Sequence, residues 1–128
     1  MAEILQYDPP RRWAAAARVG DLLYLAGETG TDPVTMRTVP GGVEAQTEQI
    51  IANIRTTLAR AGADLGDVFK LTVFLTDIAD LPAVSAVRAR HFTTPLPSSA
   101  VQVVALAAPD LLVEIEAIAQ VSFRSHAG

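Results

Sequence analysis

The last long apolar stretch of the chain, residues 111–121, alternates between two kinds of side chain. Successive side chains of a β-strand point to opposite faces, so the stretch predicts a strand with two unlike faces. One face is wholly apolar and consists of Val113, Ile115, Ala117, Ala119 and Val121. The other face mixes apolar, polar and acidic groups and consists of Leu112, Glu114, Glu116, Ile118 and Gln120. We expect helices to cover the first face. A subunit interface or a ligand cleft suits the second, because an isolated buried carboxylate is costly.

The remaining patterns predict two helices and further strands. Residues 18–26 favour a hairpin with Gly20 and Asp21 as its two-residue turn, and a loop follows at residues 27–33. Residues 44–61 carry an apolar stripe at helical spacing, formed by Ile50, Ile51, Ile54, Leu58 and Ala61. Gly62 is placed to end this helix.

The second half of the chain reads as strand, helix, strand, strand. Residues 68–76 are rich in β-branched and aromatic side chains and predict a central strand. A helix is expected from Asp80 to Phe92, with Pro82 tolerated in its first turn. An extended connection at residues 94–99 and a strand at residues 100–106 precede the final strand.

This order of elements predicts an α+β fold with a mixed sheet and both helices packed on one face. The opposite face of the sheet would then be uncovered in a single chain. Because Glu114 and Glu116 point to that face and a large bare patch is unfavourable, we expect copies of the chain to associate.

Composition narrows the class of protein. The chain has 128 residues, of which 50% are hydrophobic and 19% charged, so one globular domain over residues 1–128 is expected. It has no cysteine and two histidines, His91 and His126, which argues against thiol chemistry and a metal site. A net charge of −4 makes nucleic acid an improbable partner. No apolar run is long enough for a membrane span, so a cytoplasmic location is expected.

The segment before the hairpin places Arg11, Arg12 and Trp13 after two prolines. Two cations beside a tryptophan could form a cation–π lid or hold an anion. The simpler interpretation is a surface arm whose arginines are solvated.

Five segments together resemble the RidA (YjgF) family of reactive-intermediate deaminases, over nearly the whole chain. They are residues 19–27 (VGDLLYLAG), 46–62, 67–77 (DVFKLTVFLTD), 99–103 (SAVQV) and 113–119 (VEIEAIA). The resemblance implies a chorismate-mutase-like subunit and a homotrimer whose sheets enclose a central barrel. It also implies small-molecule clefts between subunits, and hydrolysis of enamines and imines such as 2-aminoacrylate without a cofactor.

The family's substrate-binding positions are largely changed in this sequence. Ser98 stands where the family has an arginine that holds a substrate carboxylate, and a serine hydroxyl cannot supply that cationic fork. Trp13 replaces a tyrosine, Ala26 a serine, Ser85 an asparagine and Ala100 a residue that is often cysteine. Arg11 or Arg12 is a candidate to replace the lost arginine. Glu114 keeps the identity of the glutamate thought to position the hydrolytic water.

We therefore expect Glu114 and Glu28 to be the catalytic carboxylates, acting as an acid–base pair. The substrate-binding candidates are Trp13, Ala26, Gly27, Ser85, Ser98, Ser99 and Ala100. The alternative for Glu114 is a structural carboxylate, and for Glu28 a solvated loop residue.

Three functions remain open. The first is an imine or enamine hydrolase with a non-standard pocket. The second is a trimer of the same fold that binds or senses a small ligand without converting it. The third is an RNA-directed ribonuclease or translation inhibitor, which the acidic balance of the chain disfavours.

Overall fold

The computed structural model describes residues 1–121, so His126 lies outside the described residues. Within this range seven strands form one sheet and two α-helices pack against it. The strands are β1 (Glu3–Leu5), β2 (Ala16–Val19), β3 (Leu22–Leu25), β4 (Glu28–Thr29), β5 (Val68–Leu75), β6 (Ser98–Gln102) and β7 (Val113–Gln120). The helices are α1 (Gly42–Arg60) and α2 (Leu81–Ala89), and short 3-10 turns at Leu65–Asp67 and Ile78–Asp80 precede β5 and α2.

The strand β7 lies inside the sheet, whose order is β1-β2-β3-β7-β5-β6. β4 also pairs with β7, on the same side as β3. The β5–β6 pair is parallel and the other pairs are antiparallel, so the sheet is mixed as expected. The hairpin turn at Gly20 and Asp21 is confirmed, since Val19 pairs with Leu22 and Gly20 takes a φ of 61°.

Both helices pack on one face of the sheet, which confirms the predicted α+β layering. The apolar face of β7 is buried there, with Val113, Ile115, Ala117, Ala119 and Val121 in or beside the core. The helix α1 buries Ile50, Ile54 and Leu58 against it. On the opposite face Tyr24 and Val101 are 44% and 43% exposed, so that face is open in a single chain.

The end of α1 follows from the glycine that was expected to end it. Gly62 has a φ of 78°, a left-handed conformation that glycine adopts without a Cβ clash. The N–H of Ala63 bonds to the carbonyl of Leu58 at 2.8 Å, and the N–H of Gly62 to that of Ala59 at 3.1 Å. These two bonds form a Schellman motif, which satisfies the last carbonyl groups of the helix.

The structure differs from the sequence prediction at four elements. The first strand, β1, was expected to be part of a surface arm, but it pairs with β2 and Tyr7 behind it is buried. β4 was expected to be loop. α2 ends at Ala89, three residues before Phe92, and β6 begins and ends earlier than predicted. No helix among residues 1–121 is long and apolar enough to cross a bilayer.

A buried glutamine ties α1 to the start of β7. The side chain of Gln46 donates to the carbonyl of Asp110 at 3.0 Å and accepts from the N–H of Leu112 at 2.9 Å. Gly30 lies directly against it, since a Cβ on Gly30 would be 2.5 Å from the Gln46 Cβ. These contacts fix the segment that leads into Glu114.

We expect Gln46→Ala to lower the free energy of unfolding by about 2–4 kcal/mol, because two part-buried backbone groups lose the partner that the buried Gln46 side chain supplies. Gln49→Ala, one turn nearer the end of α1, is the matched control: Gln49 bonds to Asn53 on the same helix, so its loss should cost less than about 1 kcal/mol. Urea unfolding followed by circular dichroism measures both. Equal losses in the two variants would contradict the proposed tie.

Candidate active site

Glu114 lies on the open face of the sheet, as the second residue of β7. Its neighbours across the strand pairs are Thr29 on β4 and Phe74 on β5. The side chain is half-buried, and burial, with a smaller contribution from the negative charge of Glu116, raises the pKa of Glu114 above its ordinary value of 4.5. A carboxylate with a raised pKa and access to solvent is suited to exchange protons near neutral pH.

The backbone of Gly27 closes one side of Glu114. A Cβ on Gly27 would lie 2.9 Å from the Glu114 Cδ, closer than side chains approach each other. Glycine is therefore the residue that lets β4 approach the carboxyl group. Ala26 precedes it, so the predicted site residues Glu114, Ala26 and Gly27 lie in one neighbourhood.

Glu28 lies on the other face of the sheet, because the pairing with β7 contains one extra residue. Tyr24 pairs with Ile118 and Glu28 with Ile115, so three residues on the β3–β4 side oppose two on β7. This is a β-bulge at Ala26 and Gly27. Regular pairing would have set Glu28 opposite Glu114; instead it shares the face of Ile115. The acid–base pair expected from the sequence is therefore not formed.

Glu28 is also not the solvated loop residue considered as the alternative. It is 4% exposed, and the hydroxyl of Tyr7 donates to its Oε2 at 2.5 Å. Burial raises the pKa of Glu28 above 4.5, and the negative charge of Glu114 adds to this; the Tyr7 hydrogen bond and the positive charge of Arg11 act in the opposite sense.

The arm residues take different partners from those expected. The guanidinium of Arg11 stacks over the ring of Tyr7, with 3.9 Å between its Cζ and the ring centroid, so the cation–π contact is made with Tyr7. Trp13 is 56% exposed, and its indole acts as a hydrogen-bond donor toward the Tyr7 hydroxyl, which lowers the pKa of Tyr7 against the larger effects of burial and Glu28. Its predicted role as a stacking surface for a ligand stays a prediction.

A second group of predicted residues lies at the edge of the sheet formed by β6. Ser98 and Ala100 pair with Leu71 and Val73, whose side chains are buried toward the helices, whereas Ser99 pairs with Thr72 and faces the open side. Arg88 on α2 donates from Nη1 to the Ser98 Oγ at 3.0 Å. This contact joins α2 to β6.

Ser85 lies next to Arg88 on the surface of α2. The two residues are three apart on α2, so they lie one above the other on one face of the helix. Both line a cleft of about 350 Å³ between the end of α2 and residues 93–95. Within one chain, Ser85, Arg88 and Ser98 thus form one group, and Glu114, Ala26 and Gly27 form another on the opposite face.

His91 joins the two helices. It lies 3.1 Å from the carboxylate of Glu48 on α1, and Arg90 lies 3.4 Å from the same carboxylate. Among residues 1–121 no three side chains of the metal-binding types come together.

Comparison with known proteins identifies the family. The model of the family described as Endoribonuclease L-PSP matches residues 4–121. A 2-iminobutanoate/2-iminopropanoate deaminase of Capra hircus is 39% identical over 107 residues, covering 84% of this chain and 78% of the goat protein. A RutC family protein of Pyrococcus abyssi is 36% identical, with 84% of each chain covered. The crystal structure of RidA from an Antarctic Psychrobacter species superposes with a TM-score of 0.85 at 35% identity, covering 93% of this chain and 99% of that one.

The chain belongs to the RidA (YjgF) family. The resemblance read from the sequence is thereby confirmed, and with it the chorismate-mutase-like α+β subunit. Sequence reasoning placed Glu114 on the correct face of the RidA subunit but missed Tyr7, Arg88 and the bulge. Gly27 was the one available signal for the bulge, since a glycine inside a strand pattern often marks one.

The raised pKa of Glu28 makes a prediction about stability. Below pH 4.5 Glu28 is protonated in both the folded and the unfolded chain. Above pH 4.5 Glu28 ionises first in the unfolded chain, so the free energy of unfolding falls until the pH passes the folded-state pKa of Glu28. We expect Glu28→Gln, which keeps an acceptor for Tyr7, to be more stable than the wild type at neutral pH. The gain should vanish below pH 4.5.

Urea unfolding at a series of pH values measures this difference. Glu3→Gln removes a negative charge at an exposed position of β1 and serves as the control for net charge. A Glu28→Gln variant that is less stable than the wild type at neutral pH would show that the ionised carboxylate stabilises the fold.

Proposed function

We propose that the protein hydrolyses a small imine or enamine to a carbonyl compound and ammonia, with Glu114 as the catalytic carboxylate. The observation that carries the proposal is the setting of Glu114: half-buried, with a raised pKa, beside a glycine on the open face of the sheet. The 39% identity to a deaminase of 2-iminobutanoate and 2-iminopropanoate supports the reaction class.

Hydrolysis of an imine requires one group that transfers protons. Ionised Glu114 takes a proton from water as the water oxygen bonds to the imine carbon, and it gives that proton to the imine nitrogen. Glu114 then takes the hydroxyl proton of the resulting carbinolamine and passes it to the amine nitrogen. The carbon–nitrogen bond breaks as the carbonyl forms, and ammonia leaves. A raised pKa brings Glu114 nearer to the working pH, which favours both directions of proton transfer.

Arg88 supplies the guanidinium group that binds the substrate carboxylate, in place of the family's arginine at position 98. Its guanidinium has five N–H donors, and the hydrogen bond to Ser98 uses one of them. Ser98 therefore orients the guanidinium and leaves donors for a substrate carboxylate, which favours a bidentate pair. The substrate in this proposal is an imino acid with a carboxylate, held by Arg88 and Ser85.

In a single chain, Glu114 lies on one face of the sheet, and Arg88 and Ser85 lie on the other. We propose a homotrimer in which the open faces enclose a central barrel and the α2–β6 edge of one subunit meets Glu114 of the next. The open face in the single chain, with Tyr24 and Val101 exposed, supports association. Trp13, Ala26, Gly27, Ser99 and Ala100 are proposed to line the ligand at this junction.

We expect Glu114→Gln to lower kcat by about a hundredfold or more, because a neutral amide cannot accept the water proton. Glu116→Gln, two residues along the same face and more exposed, is the matched control and should keep most of the activity. Purified protein is given enzymatically generated 2-aminoacrylate, and loss of the imine is followed by absorbance. Rates of the wild type that equal the uncatalysed background would refute the proposed activity.

We expect Arg88→Gln to lower kcat/KM for an imino acid by about tenfold to a hundredfold, the worth of a charged hydrogen bond. An imine without a carboxylate should show little change. Arg90→Gln, on the same helix but paired with Glu48, is the control. Equal losses for both imines would show that Arg88 does not bind the carboxylate.

Mixing two inactive variants tests the shared site. In mixed trimers of Glu114→Gln and Arg88→Gln chains, about a quarter of the junctions would combine an intact Glu114 with an intact Arg88 from a neighbour. Recovery of about that share of the wild-type rate is expected. No recovery in co-expressed mixed trimers would show that one chain supplies both residues of each site, and would refute the shared junction.

The change at Ser98 also favours a second candidate, a trimer that binds a small ligand without converting it. Such a protein would gain thermal stability from an imine or amino-acid ligand while the ligand remained unchanged. Ribonuclease activity, which the family description names, ranks third because the net charge of −4 disfavours RNA binding.

A further inference from the structure

A cleft lies on the helix side of the sheet, away from Glu114. Its volume is about 680 Å³. Three segments form its walls: residues 7–11 after β1, residues 33–36 after β4, and residues 53–60 of α1. None of the residues assigned to the proposed reaction lines it.

The floor of this cleft is a carboxylate. The bulge at Ala26 and Gly27 turns Glu28 toward α1, and Glu28 lines the cleft while being 4% exposed. Tyr7 bonds to one carboxyl oxygen, Oε2. An ionised carboxyl group accepts about four hydrogen bonds in all, so most of its capacity is unused and is available to a donor in the cleft.

Two arginines stand at the walls. Arg11 is held over the Tyr7 ring on one side, and Arg60, in the last turn of α1, lines the other. Neither guanidinium makes an ion pair with an acidic side chain in residues 1–121, where the ion pairs are those of Glu48. A cleft with a carboxylate at its floor and two cations at its sides is complementary to a molecule that carries both charges.

Asp8, Asn53, Thr56 and Thr57 add polar groups to the lining, and the rest of it is apolar. Pro9, Pro10, Pro33, Val34 and Met36 contribute to it, and Val34 is 89% exposed in the single chain. An apolar lining with a few polar groups of fixed position is typical of small-molecule sites. Exposed apolar side chains at its rim add surface that a ligand would cover.

We propose that this cleft is a second binding site, which takes an α-amino acid with an apolar side chain. Its ammonium group bonds to Glu28, its carboxylate to Arg11 and Arg60, and its side chain packs on the proline and methionine wall. A purely structural Glu28 would need neither the cleft nor the two arginines. The destabilising burial of the carboxylate is then offset when the ligand is bound.

The test is isothermal titration calorimetry of the full-length protein with L-leucine. Saturable binding in the millimolar range or tighter is expected. Isocaproate, which lacks the amine, and isoamylamine, which lacks the carboxylate, should each bind about tenfold or more weakly. Absence of saturable binding by L-leucine would overturn the proposal.

Three variants locate the ligand. Glu28→Gln and Arg60→Gln should each weaken L-leucine binding about tenfold or more, and Arg88→Gln should leave it unchanged. Arg60 lies on the exposed surface of α1, so its replacement leaves the fold intact and keeps the test valid if Glu28→Gln perturbs the arm. Loss of binding in Arg88→Gln but not in Arg60→Gln would place the ligand in the other cleft and overturn the proposal. None of these measurements requires imine hydrolysis, so the two proposals fail separately.

Discussion

The pairing of β3 and β4 with β7 contains one extra residue, and that residue decides which side of the sheet each carboxylate occupies. Before the bulge Tyr24 pairs with Ile118, and after it Glu28 pairs with Ile115. The shift by one position reverses the side on which every later residue of the strand points. Glu114 thus lies on the open face with Glu116, and Glu28 is directed toward α1.

The register of β7 is fixed by its buried face. Val113, Ile115 and Ala119 are almost fully buried, and a slip by one residue would place Glu114 and Glu116 in the core instead. Gln46 adds a polar tie at the start of the strand. The position of Glu114 is therefore as rigid as the core itself, which is a suitable basis for a group that must meet a water molecule.

Sequence patterns predicted most of the fold because they reflect the burial of apolar faces, which is the main force that drives folding. The alternation in β7 and the stripe on α1 are directly readable, and Gly20 and Gly62 mark a turn and a helix end. The bulge was not readable in the same way, because it changes the register without changing the composition of the strand. Glu28 was expected in a loop beside the cleft, and the change of register that turns it toward α1 could not be read from the strand pattern.

The candidate site was predicted in part for the same reason. The face on which Glu114 lies follows from alternation, and its expected catalytic role came from the family resemblance. The contact of Arg88 with Ser98 joins α2 to β6, and the partner of a long side chain depends on how two elements pack. The burial of Tyr7 could not be predicted, because β1, the strand before it, is three residues long and too short to show a strand pattern.

The hydrogen bond between Arg88 and Ser98 also restricts which side chain can stand at position 98. A lone Ser98→Arg substitution would set two guanidinium groups side by side, where like charges repel. An arginine at this place on β6 is therefore compatible with the fold only together with a change at Arg88.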